Sequence, residues 1–220
     1  MKRYFGLISC LFLLWGCGLK SIPEWRTASF NHLEQYKKYF LTGREQLAAI
    51  HFQKAVNELK GSGNLSLLMT VYLTRSALHV AILEAPQGEE YLEIAKVWPS
   101  DDHQDYYFLL EGRFAEIQKS SLPTSYQDLV TTIEEGNAKR ITETIRNIQD
   151  DLSRLIAIGV VVRHGVVNEA ILTQAVDLAS VNGWRKPLLI YLNRLKSFYE
   201  TTGKRDQAEI IRLKIELLKS

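Results

Sequence analysis

Five histidines, His32, His51, His79, His103 and His164, are the residues of this chain best suited to metal ligation or to proton transfer near neutral pH. None stands at the HExxH spacing, or at any similarly short spacing, that would set two ligands on one helical face. The densest run of ligand-type side chains is Asp101-Asp102-His103-Gln104-Asp105. It follows the Pro99-Ser100 break, where a helix is expected to begin, and carboxylates in a first turn stabilise the unpaired amides through the helix dipole. That role accounts for the acids without an ion, so no metal is expected. His51 and His79 fall among apolar residues on helix faces and are expected to be hydrogen-bonded core histidines. The GxSxG elbow of hydrolases, the phosphate-binding Walker loop and the dinucleotide GxGxxG pattern do not occur. The adjacent acids Glu89-Glu90, Glu134-Glu135 and Asp150-Asp151 fall at helix ends or on solvated faces. A glycosidase acting on peptidoglycan needs two carboxylates held across a cleft, which adjacency in sequence does not provide. The expectation is a protein that is not an enzyme and uses no cofactor.

Cysteine offers the covalent chemistry. The chain has two, Cys10 and Cys17. Cys10 lies inside an apolar stretch from Tyr4 to Trp15 that follows the basic Met1-Lys2-Arg3, and Cys17 lies just past its end. A basic start and an apolar run of this length are the parts of a secretory signal peptide. The run is too short to cross a bilayer, which takes about 20 apolar residues, and Lys20, Pro23, Glu24 and Arg26 soon turn the chain polar. The residues Leu14-Trp15-Gly16-Cys17 resemble the lipobox of bacterial lipoproteins, with leucine three positions before the cysteine and a small residue immediately before it. Trp15 departs from the pattern, which usually holds a small or medium residue there, and slower cleavage is the expected consequence. The resemblance implies that residues 1–16 are removed as a signal peptide. Cys17 would then be lipidated, carrying acyl chains such as palmitate as the first residue of the mature chain. The implied place is the cell envelope, and Gly18 in place of Asp resembles the enteric sorting signal for the outer membrane facing the periplasm. The mature chain would keep no second cysteine for a disulfide.

The same processing removes Lys2 and Arg3, so that 27 basic residues become 25 and balance the 25 acidic ones. With no basic excess and no arginine- or lysine-rich tract, nucleic acid is not an expected partner. A 46% hydrophobic content with only 5 Pro and 13 Gly describes a folded domain and not a disordered stalk.

Helices must position these groups. After a tether over residues 17–28 the helical domain is expected over 29–220, with Pro23 as an early start of the first helix and Ser29 or Asn31 as later ones. Phe30, Leu33, Tyr36 and Phe40 recur at helical spacing until Thr42-Gly43 stops the run. Leu47, Ala48, Phe52, Ala55, Val56 and Leu59 mark a second helix ending at Gly61-Ser62-Gly63, and so short a connection makes the two an antiparallel hairpin. Five, nine and twelve residues after Gly43 stand Ala48, Phe52 and Ala55; after Gly136, Ile141, Ile145 and Ile148; after Gly203, Ala208, Arg212 and Ile215. Leu192, Leu195, Tyr199, Gly203, Ala208 and Ile215 of the last unit together resemble the tetratricopeptide signature, which implies hairpins stacked as an α-solenoid. Arg212 stands where that signature has an apolar residue, so this unit is expected to be a cap with a solvated outer face. The glycines are unevenly spaced, 93 and 67 residues apart, and apolar residues at three and four mark any amphipathic helix. The fold class is therefore all-α, built of antiparallel hairpins, as a tetratricopeptide-like α-solenoid or as an irregular helical bundle. Between the hairpins Asn64 is expected to cap an all-round apolar helix over 65–84. Leu155 to Val162 is β-branched but has no second strand to pair with, and is expected to be a buried helix.

Stacked hairpins present the first helix of each unit on a concave face. In the first unit that face would carry Lys37 and Phe40; in the last, Asn193 and Ser197 with Arg185, Lys186 and Arg194 nearby. A basic, amide-bearing groove suits an extended peptide or a carboxylate end. The expected function is a non-enzymatic, membrane-anchored scaffold or assembly factor whose partner is another envelope protein or peptide. The alternative is a ligand-binding or peptidoglycan-active helical domain that uses a pocket.

Overall fold

Helix boundaries follow caps and breakers carried by the sequence. The computed structural model describes residues 22–219; the signal segment, Cys17 and Ser220 lie outside the described residues. Pro23, at φ −55°, presents a carbonyl that accepts from the Arg26 amide at 3.0 Å and starts α1 (Glu24–Leu41) at the earlier of the expected positions. Residues 24–28, expected in the tether, are thus the first turn of the domain. α2 (Glu45–Ser62) closes the first hairpin. Asn64 caps α3 (Leu65–Ala81) by accepting from the Leu67 amide at 3.0 Å. This helix stops three residues short of Glu84, because Leu83 takes a left-handed φ of 65° and turns the chain.

Two shorter helices follow, α4 (Glu89–Ala95) and α5 (Asp101–Glu111), then 3₁₀ turns at Phe114–Glu116 and Lys119–Ser121. The second hairpin is α6 (Thr124–Glu134) with α7 (Ala138–Asn147), and Asn137 caps α7. α8 (Asp151–Arg163) and α9 (Glu169–Val181) are capped by Asp150 and Asn168, and α10 (Arg185–Thr201) and α11 (Arg205–Lys219) form the last hairpin. The described residues are all-helical, with no strand. Leu155 to Val162 is helical and buried throughout, as expected. Its β-branched residues are at home there because every side of α8 meets protein, so no exposed face needs polar residues.

α3 and α8 cross at the centre. α3 also packs on α2, α4 and α5, and α8 on α6, α7 and α9. At the crossing Gly159 leaves no room for a side chain: a Cβ there would lie 2.2 Å from the Val80 carbonyl oxygen and 3.0 Å from Ala81 Cα. In the first hairpin Ser29 and Ala55 play a milder version of this role, with the Ser29 hydroxyl donating to the Ala55 carbonyl at 3.2 Å. The buried line of α1 is consequently Ser29, Leu33, Tyr36 and Phe40, while Phe30 is 61% exposed and Leu47 of α2 is 40% exposed. Both had been expected on the packed faces, and in each case a small residue at the neighbouring position, Ser29 or Ala48, takes the inward place.

The hairpin glycines Gly43, Gly136 and Gly203 all turn the chain at positive φ (79°, 68° and 75°). Arg212 lies on the solvated face of α11 and pairs with Glu209 and Glu216. The first and last hairpins nevertheless meet. α10 packs on α1, and Lys186 places its ammonium 2.8 Å from the Glu45 carboxylate and 4.5 Å from the Phe40 ring centroid.

Tyr191 of α10 is fully buried, and its hydroxyl has no hydrogen-bond partner. A buried hydroxyl without a partner costs about 1–3 kcal/mol of desolvation. Tyr191→Phe is expected to raise the unfolding free energy by about 1 kcal/mol, read as a higher urea midpoint with an unchanged slope.

Candidate functional site

A cleft of about 610 Å³ opens where α1, α3, α5, α6 and α8 come together. Its floor is apolar, made by Leu73, Ala77 and Leu78 of α3 and Ile156 of α8. Tyr106 and Tyr126 form one wall, their rings 5.8 Å apart, and the Tyr126 hydroxyl donates to the Ser153 carbonyl at 3.3 Å. Burial pushes Tyr126 up to about 12 and holds Tyr106 well above the usual phenol range, so both stay neutral donors. The rim is polar. Thr70 and Thr74, one turn apart on α3, face Ser125, Ser153, Asp102, Asp150 and Lys37.

Three helices begin at this cleft, α5, α6 and α8, and their first-turn amides make its mouth electropositive. Most of that field is already answered. Asp150 accepts from the Ser153 amide at 2.7 Å, Asp101 and Asp102 occupy the first turn of α5, and the Lys37 ammonium lies 2.7 Å from Glu34. Asp101 and Asp102 are thus helix-start acids, whereas Asp105 is buried and accepts from the Gln118 amide at 3.2 Å. Among the described residues no group of three or more His, Cys, Asp or Glu is placed to hold a metal.

His103 pins α5 to α3. Its Nε2 is 3.0 Å from the Thr70 hydroxyl and its Nδ1 is 2.8 Å from the Ser100 hydroxyl. The Thr70 hydroxyl also lies 3.1 Å from the Ser66 carbonyl, to which it donates. It therefore accepts from Nε2–H, and Ser100 donates to Nδ1. In this tautomer, assigned from the network, His103 does not take a proton from Thr70, as a base activating a nucleophile must. Burial lowers the proton affinity of His103, with the Asp102 charge acting in the opposite direction. The geometry is one for binding an apolar group beneath hydrogen-bonding rim groups.

The residues expected to bind a partner do not converge. Lys37 lines the cleft. Phe40 is 6% exposed, buried beneath Lys186 and beside His79, and so is a core residue and not a surface for a partner. Lys186 joins the two ends of the fold, its side chain only 19% exposed. Arg185 donates to the Leu218 carbonyl at 2.6 Å and so finishes the last turn of α11. Asn193 turns its amide back to the Leu189 carbonyl at 2.6 Å. Arg194 and Ser197 are exposed on α10. No protein-family model, curated protein or solved structure matches this chain.

Sequence reading overlooked the cleft because its lining comes from five segments between Lys37 and Ile156. One local signal was present: Thr70 and Thr74, four residues apart, form a hydroxyl stripe on a helix rich in apolar residues. Sequence reading also overlooked the meeting of His32 and His51, 19 residues apart, whose Nδ1 atoms lie 3.1 Å from each other.

Proposed function

We propose that this chain is a lipid-anchored, non-enzymatic binding protein of the bacterial cell envelope, tethered through Cys17 and acting as a scaffold or assembly factor. Its partner is an extended segment of another envelope protein, which places an apolar side chain on the floor of the cleft and donates hydrogen bonds to the rim carboxylates. The observation that carries this reading is the cleft itself, an apolar floor under Thr70, Thr74, Asp102 and Asp150. The lipobox-like Leu14-Trp15-Gly16-Cys17 supports the anchor and the compartment.

A second reading has an observation in its favour. The cleft volume of about 610 Å³ falls within the ~300–1,000 Å³ typical of small-molecule sites, which suits a small envelope ligand or a peptidoglycan fragment in the same place. Thr74→Trp tests both, because an indole at this half-buried rim position fills the cleft without entering the core. Recovery of the partner after crosslinking in cells should fall roughly tenfold or more, the equivalent of at least 1.4 kcal/mol. Undiminished recovery would remove the cleft from the proposal. Saturable stabilisation of the purified protein by a peptidoglycan fragment, lost in Thr74→Trp, would establish the second reading in place of the first.

A further inference from the structure

We propose that His32 and His51 form a two-imidazole site for a divalent transition-metal ion on the first helical hairpin. The two residues come from different helices, α1 and α2, and their Nδ1 atoms face one another at 3.1 Å. Two nitrogens bound to a tetrahedral zinc ion at about 2.0–2.1 Å lie about 3.3–3.4 Å apart. The pair is therefore within a few tenths of an ångström of ligating distance, with the two Nδ1 atoms already facing one another.

Packing holds this arrangement on either side. On one side the Ser29 hydroxyl reaches the Ala55 carbonyl at 3.2 Å, and on the other the rings of Tyr36 and Phe52 meet at 5.0 Å. Tyr39 stacks beside His51 at 5.3 Å and limits rotation of its ring. Ligands fixed in this way lose little freedom when the ion arrives. Both imidazoles are partly exposed, which gives the ion a path and leaves room for water to complete its shell.

The proton balance is simple. Without metal, one ring donates its Nδ1–H to the other. On binding, the donor ring moves that proton to its own Nε2, and both rings ligate as neutral imidazoles with no net change in proton count. Burial, His32 and the Lys54 ammonium all lower the proton affinity of His51, which reduces the competition of protons for its ring nitrogen. Lys54 also opposes the ion's charge. With two protein ligands and water, selectivity should follow the order of imidazole-loving ions, Cu²⁺ above Ni²⁺ and Zn²⁺, with no response to Mg²⁺ or Ca²⁺.

The test is a titration of the full chain, without a histidine tag, with Cu²⁺ and with Zn²⁺, followed by calorimetry and by electron paramagnetic resonance for copper. One equivalent of Cu²⁺ should bind with hyperfine splitting from two imidazole nitrogens. His32→Gln and His51→Gln should each weaken binding at least tenfold, while His164→Gln, at an exposed position outside the cleft, leaves it unchanged. A reading on the unaltered protein guards against misfolded variants: Zn²⁺ should shift the imidazole resonances of His32 and His51 and of no other histidine. Absence of saturable binding, binding that survives both substitutions, or shifts confined to other histidines would overturn the site.

Discussion

Gly159→Ala is expected to lower the unfolding free energy by roughly 3 kcal/mol, the upper part of the range for overpacking a tight core. Helix propensity alone argues the other way, since alanine is favoured over glycine inside a helix by about 1 kcal/mol. The decisive fact is what the new methyl group meets. It would lie 2.2 Å from the Val80 carbonyl oxygen, 2.7 Å from the Val80 carbonyl carbon and 3.0 Å from Ala81 Cα. All three are backbone atoms, so no side chain can swing aside, and α3 and α8 must separate along their length. That separation loosens the residues of both helices that carry the floor of the cleft. Gly61→Ala is the matched control, because in α2 nothing lies within 4 Å of the added carbon. There the helix propensity is left alone and stability should rise by up to about 1 kcal/mol. Urea unfolding of the two variants reads both signs, and a neutral Gly159→Ala would mean that the helices do not approach as closely as described.

Cys17→Ala is expected to release the protein from the membrane fraction entirely. No helix among the described residues is long and apolar enough to cross a bilayer, so in the proposed reading the acyl chains supply the membrane affinity. Each buried methylene of such a chain adds about 0.8 kcal/mol, and stable anchoring takes more than one chain or a second signal. Loss of the acylated residue should therefore act as a switch and not as a gradual weakening. The readouts are metabolic labelling with a fatty acid and fractionation of cells. If Cys17→Ala loses the label but still sediments with membranes through a retained apolar start, the lipobox reading is wrong.

Local signals in the sequence locate the first helices well, and for a physical reason. Caps and breakers act within a few residues, so Asn64 marks the start of its helix without help from the rest of the fold, and Asn137 and Asn168 cap theirs in the same way. The burial of Leu155 to Val162 was legible because eight successive residues without a polar one cannot face water. What periodicity could not supply is the neighbour that each face meets. Phe30 and Ser29 are adjacent, and only the close crossing at Ala55 decides that the serine turns inward. Phe40 and Lys186 looked like surface groups because the contact that buries them joins segments 141 residues apart, at Lys186 and Glu45. The cleft was illegible for the same reason, being assembled from helices distant in sequence. His32 and His51 share no motif spacing, since antiparallel packing and not helical repeat brings them together.

Site-specific photocrosslinking in cells tests the central claim most directly. A benzophenone amino acid is placed at Thr74, on the rim of the cleft, and separately at Arg194, on the exposed surface of α10, in otherwise unaltered full-length protein. A discrete adduct with one envelope component is expected from Thr74 and none from Arg194. An adduct from Arg194 with none from Thr74 would contradict the cleft as the binding site and return the partner to the exposed face of α10 that carries Arg194 and Ser197.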